Sequence, residues 1–121
     1  MSWKTTNEYQ RKTLKADAIR IASALNRAGI YYSLEWVIPR YGEFRNGHPL
    51  SYVVDIMVLD WRYKSVAIEV EGEGSSSKDN TKRDAYLSTL GITVLHVDNK
   101  VKSEEVIIRL NGSFRKVSDL D

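Results

Sequence analysis

The chain has 121 residues, 42% hydrophobic and 28% charged, with a formal net charge of +2 and no cysteine. That length suits one domain over residues 1–121 with one hydrophobic core, and the missing cysteines exclude disulfides and thiolate-held zinc. The opening Met1-Ser2-Trp3-Lys4 has no apolar stretch behind it and the longest apolar runs are strand-sized, so neither a signal peptide nor a membrane span is expected and a cytoplasmic protein is the plain reading.

Thr5 and Glu8 have capping-box spacing, and Leu14, Ala18, Ile21, Leu25 and Ala28 recur at three- and four-residue steps before Gly29. The pattern predicts an amphipathic helix from about Thr6 to Ala28, closed by that glycine. Between Lys4 and Arg27 the chain carries six basic residues (Lys4, Arg11, Lys12, Lys15, Arg20, Arg27) against Glu8 and Asp17. Such an excess suits a phosphate-facing surface as well as an ordinary solvated one.

Ile30 to Ile38 is aromatic and β-branched and reads as a strand ended by Pro39. Pro39 to Ser51, with two Pro, two Gly and Asn46, reads as a loop. Tyr52 to Leu59 is a strand apolar on both faces except for Asp55, and Asp60 to Lys64 turns the chain. In the strand Ser65 to Glu71, Val66, Ile68 and Val70 alternate with Ala67, Glu69 and Glu71. Gly72 to Ser77 is a polar loop. Asp79 or Asn80 caps a helix over Thr81 to Leu90, closed by Gly91. Ile92 to Val97 is a fourth strand, and Ser103 caps a last helix with Glu104 and Glu105 in its first turn. The expected class is α/β, in the order α-β-β-β-α-β-α, with a mixed four-stranded sheet flanked by helices.

Acid inside strands is the feature that carries chemistry. Asp55 interrupts an apolar run, where an aspartate is disfavoured and costly to desolvate. Glu69 and Glu71 share one strand face and repel unless a positive charge lies between them. If the strands bearing Asp55 and Glu69 pair, three carboxylates converge, an oxygen-only set suited to Mg²⁺ or Mn²⁺. The alternative is an acidic strand face turned to water.

An Asp on one strand, a short turn and Glu-x-acid on the next resembles the PD-(D/E)xK nuclease superfamily. The ordered set Glu8, Val54-Asp55, Ile68-Glu69-Val70-Glu71-Gly72, Asp79 with Lys82-Arg83-Asp84, Tyr86-Leu87 and Leu90-Gly91-Ile92 resembles its very-short-patch-repair endonuclease-like branch. The resemblance implies a restriction-endonuclease-like fold and a Mg²⁺- or Mn²⁺-dependent DNA endonuclease. In it Asp55 and Glu69 would ligate the metal, and Glu71 would stand, as a further ligand, where many relatives have Lys. Lys78 or Lys82 would supply the missing cation, and Glu8 would either reach the site or complete the helix cap, about 100° around the helix from the apolar stripe. Ser75, Ser76 and Ser77 stand where relatives often have His, and His96 stands on the fourth strand where relatives often have Arg. Arg40, Arg45, Arg62, Lys64, Lys78 and Arg83 are the expected contacts to DNA phosphates, with Tyr41, Phe44, Trp61 and Tyr63 near them for base stacking. DNA is the expected partner, with a homodimer for double-strand cuts or a monomer for nicks. Two other readings stand beside this one: a nuclease-fold DNA-binding module or subunit without catalysis, and a structural domain whose acids solvate a sheet edge.

Overall fold

In the computed structural model the described residues are 16–60, 62–71 and 77–113. A first helix, α1, runs over residues 16–27 and is followed by β1 (Tyr32–Arg45), β2 (His48–Val58), β3 (Val66–Glu71), α2 (Ser77–Thr89), β4 (Thr93–Asp98) and α3 (Ser103–Ser113). The four strands form one sheet in the order β1-β2-β3-β4. β1/β2 and β2/β3 are antiparallel and β3/β4 is parallel, so the sheet is mixed and the class is α/β, as expected. No helix among the described residues is long and apolar enough to cross a membrane.

The alternation read in β3 sorts its side chains onto two covered faces. Val66, Ile68 and Val70 join Ile56, Val58 and Val97 beneath α1 (Ala18, Ile21, Ala22, Leu25) and α3 (Val106, Leu110). Ala67 faces the other way, with Met57 and Leu87 of α2. Ile21, Leu25, Ile56, Ile68 and Leu110 are fully buried, each contributing about 1.5–3 kcal/mol by removing its apolar surface from water. The first face is therefore the main core. The second is thinner, and its charged members form the site described below.

Both predicted glycine stops are observed. Ile30 N donates to Leu25 O after α1, and Ile92 N donates to Leu87 O after α2, each at 3.0 Å, the backbone closure of a helix ending at a glycine. Arg20 bonds Val101 O, Asn99 O and Ser103 Oγ. This basic residue of α1 thus ties the helix to the β4–α3 connection, and its guanidinium is not spread on a phosphate-facing surface.

The loop expected over Pro39 to Ser51 is instead the end of a long hairpin. Asn46 and Gly47 take φ values of 51° and 77°, the left-handed pair that a two-residue turn needs between twisted antiparallel strands. Arg45 pairs with His48, and Phe44 with Pro49. Both prolines survive within strands because β1 is a sheet edge and β3 pairs with β2 only at Ile56, Met57 and Val58, so neither proline interrupts a doubly paired ladder. Between Pro39↔Ser51 and Phe44↔Pro49 the register shifts. The resulting bulge is closed by the Arg40–Glu43 ion pair at 2.8 Å and docks on α2, where Tyr86 Oη donates to Pro39 O at 2.8 Å.

Candidate metal and phosphodiester site

Asp55 lies next to Ile56, whose partner on β3 is Ile68. The same register sets Asp55 beside Glu69, and regular pairing ends there. The reason is local: Asp55 Oδ2 accepts the Val70 amide hydrogen at 2.8 Å, taking a backbone donor into the site. Continuing across the sheet, Glu69 pairs with His96 of β4. In the other direction, Asp55 lies across from Glu35, between the pairs Leu34↔Ile56 and Trp36↔Val54. One line across four strands thus reads Glu35, Asp55, Glu69, His96.

Glu69 is only 4% exposed, and burial together with the neighbouring Asp55 charge pushes its carboxyl up to about 8. Asp55 is raised as well, chiefly by desolvation, against the lowering effect of the Val70 amide and of a hydrogen bond shared with Glu69. Two adjacent acids, one buried and one half-buried, sharing a proton is the expected state of such a pair without a bound cation. Glu69 Oε1 is buried and has no hydrogen-bond partner among the described residues. An acceptor left bare in this way costs about 1–3 kcal/mol and marks where a positive ligand would be welcome.

Among the described side chains, the cation beside the pair is not Lys82 but its neighbour Arg83. Arg83 Nη1 stands 3.7 Å from Glu69 Oε2, and Arg83 Nε stands 3.9 Å from Asp84 Oδ1. Lys82 is exposed and turned to the hairpin, where it adds a small pull to the lowering of the Glu43 carboxyl that the Arg40 hydrogen bond dominates, because one residue turns the side chain by about 100°. The side chain of Lys78, and all of Glu8 and Trp61, lie outside the described residues. Arg83, expected on the DNA backbone, is thus an integral part of the carboxylate site. Leu87, one turn on, is the buried apolar residue of α2 among its described side chains, with Tyr86 packed beside it.

Glu71 shares the face of Glu69, but its carboxylate meets His96 Nδ1. On the far side of the ring, Nε2 lies 2.5 Å from Asp84 Oδ2. The three-carboxylate convergence expected at Asp55, Glu69 and Glu71 is therefore not the arrangement found, and no group of three His, Cys, Asp or Glu side chains is poised to hold a metal ion among the described residues. What converges is a pair, Asp55 and Glu69, with Arg83 beside it and an Asp84–His96–Glu71 row next to it. The pair still fits a hard cation: its donors are all oxygen, one is bare, and Mg²⁺ commonly uses one or two carboxylates and fills its other positions with water and substrate phosphate.

Among the expected phosphate contacts, Arg45 and Lys64 are exposed. Arg40 is held by Glu43 and lies 4.6 Å over the Tyr52 ring. Arg62 is committed elsewhere. It bonds both oxygens of Asp60, which is 2% exposed, and Gly29 O at the end of α1. Tyr31 N and Arg62 N complete that carboxylate's partners, making a structural clamp.

Sequence reading missed two site residues. Glu35 has a φ of 51° inside a strand and an electrostatic influence on Asp55, but a single Glu in an aromatic run carries no signal of either. Asp84 was visible only as part of a motif, and its tie to His96 needs the fold. Compared with known protein families, with curated proteins and with solved structures, the chain matches none.

Proposed function

We propose that this chain is a metal-dependent DNA endonuclease of the PD-(D/E)xK type, with a restriction-endonuclease-like fold, and that Asp55 and Glu69 hold a Mg²⁺ or Mn²⁺ ion. The observation that carries the reading is the pairing of a half-buried Asp55 with a buried Glu69 on adjacent strands, with Glu69 Oε1 lacking a partner among the described residues. The mixed sheet with its parallel β3/β4 edge, and a helix between those strands, supports the fold assignment.

When bound, the ion supplies acidification of a water and neutralisation of phosphate charge. Glu69 holds its carboxylate in a buried setting, and the Val70 amide fixes one oxygen of the half-buried Asp55. Arg83, close to Glu69 and partly exposed, faces the position a phosphodiester would take and offsets its negative charge. Arg45 and Lys64 project from the hairpin and from the β2–β3 turn to engage flanking phosphates. A monomer suits nicking, and a second copy would be needed to cut both strands at once.

A second reading, a nuclease-fold DNA-binding module without catalysis, draws on the engagement of Glu71 by His96, at the position where many relatives have Lys. Nicking of supercoiled plasmid in Mg²⁺ or Mn²⁺ separates the two. The endonuclease reading expects metal-dependent nicking by wild type, abolished in Asp55→Asn with DNA affinity retained. Salt-dependent DNA binding without nicking selects the binding module, and equal nicking by both proteins removes Asp55 from the mechanism.

A further inference from the structure

The metal pair leaves a second polar set unused on the same sheet face. His96 stands on β4 in register with Glu69, yet its ring lies between two other acids, hydrogen-bonded to one and in close contact with the other. Nδ1 meets the Glu71 carboxylate of β3, and Nε2 lies 2.5 Å from Asp84 Oδ2 on α2. The three residues come from three elements, so the row exists only when helix and sheet are docked. About a third of each side chain is exposed (30%, 31% and 32% for His96, Glu71 and Asp84). The row therefore reaches solvent beside the more buried Asp55–Glu69 pair and does not fill the core.

A carboxylate on a flexible Glu side chain samples several rotamers. Contact with an imidazole whose opposite nitrogen is anchored removes that freedom, as an acid behind a histidine does in other sites. Glu71 is also joined to the metal pair through a continuous chain of contacts: His96 to Asp84, Asp84 to Arg83, and Arg83 to Glu69.

We infer that His96, anchored by Asp84, is a positioning residue that holds the Glu71 carboxylate two residues along the strand face from Glu69, to accept a hydrogen bond from the attacking water and aim it at the phosphorus. This rests on the endonuclease reading. It gives Glu71 a task in orienting water in place of ligating metal, and it gives a role to a histidine reached from the sheet edge.

The test is single-turnover plasmid nicking in Mn²⁺ by wild type, His96→Ala, His96→Gln, Glu71→Gln and the double variant His96→Ala/Glu71→Gln, with Mn²⁺ affinity measured separately by calorimetry. Expected for His96→Ala is a loss of about 10–100-fold in rate, with Mn²⁺ affinity and DNA Kd within about twofold of wild type. His96→Gln, which keeps one donor for Glu71, recovers part of the rate. The double variant is no slower than Glu71→Gln alone, because the two residues act as one unit. Asp84→Asn carries the same expectation where His96→Ala does not fold by circular dichroism. Wild-type nicking by His96→Ala, additive losses in the double variant, or a loss explained by weaker Mn²⁺ binding would each overturn the inference while leaving the endonuclease reading standing. Wild type that binds Mn²⁺ and DNA but never nicks would overturn both.

Discussion

Replacing Glu69 by Gln should make the metal-free protein more stable at alkaline pH, although it removes a central site residue. In the fold the Glu69 carboxyl is raised from an ordinary 4.5 to about 8, whereas in the unfolded chain it ionises near its ordinary value. The raised group contributes stability in full below about 4.5 and loses it as pH climbs through about 8, because the unfolded state releases the proton first. At about 1.4 kcal/mol per pH unit, that interval corresponds to on the order of 5 kcal/mol for the Asp55–Glu69 pair. Gln keeps the shape and cannot ionise. It forfeits the 3.7 Å contact with the partly exposed Arg83, worth less than about 1 kcal/mol. With about 4 °C in Tm per kcal/mol for a domain near this size, the variant should exceed wild type by up to roughly 15–20 °C at pH 9.5 and match it near pH 5. The assay is thermal unfolding followed by circular dichroism in EDTA across that range. Adding Mn²⁺ should raise the Tm of wild type and leave the variant nearly unmoved, since a cation binding the folded state stabilises only the protein that retains both carboxylates. Parallel pH curves for the two proteins, or a variant less stable at pH 9.5, would refute the account of a strained acidic pair.

Three further outcomes follow from other parts of the molecule. Asp60→Ala strips Arg62, Tyr31 N and Arg62 N of their acceptor and should cost about 3 kcal/mol in urea unfolding. Because Arg62 holds the Asp60 carboxyl well below its ordinary value, wild type should lose this stabilisation only as pH falls below about 4, and an acid titration of unfolding that is identical in the two proteins would contradict the clamp. Glu35→Gly relieves a left-handed strand residue and should stabilise the chain by about 1 kcal/mol; a loss of that size would mean that the Glu35 side chain contributes more than its backbone costs. Arg45→Ala should weaken DNA binding at 100 mM salt and lower the slope of log affinity against log salt by about one, without changing Mn²⁺ affinity, and an unchanged slope would place the DNA elsewhere.

The sequence by itself determined the element order, the helix stops at Gly29 and Gly91 and the two-faced character of β3, because these follow from periodicities of 3.6 and 2 and from local backbone closure. It also singled out Asp55 and Glu69, since charge inside an apolar strand is conspicuous at any register. It misread Pro39 to Ser51 because composition was weighed above the Asn46-Gly47 pair, a turn whose geometry selects those two residue types. Only the tertiary structure decided which groups meet. That β2 and β3 pair with Asp55 beside Glu69, that Arg83 and not Lys82 faces them, and that His96 lies between Glu71 and Asp84 all depend on strand register and on the rotation of α2 over the sheet. A shift of one residue in either would send every one of those side chains elsewhere. Such choices are set by the summed packing of distant elements, which no local window of sequence contains.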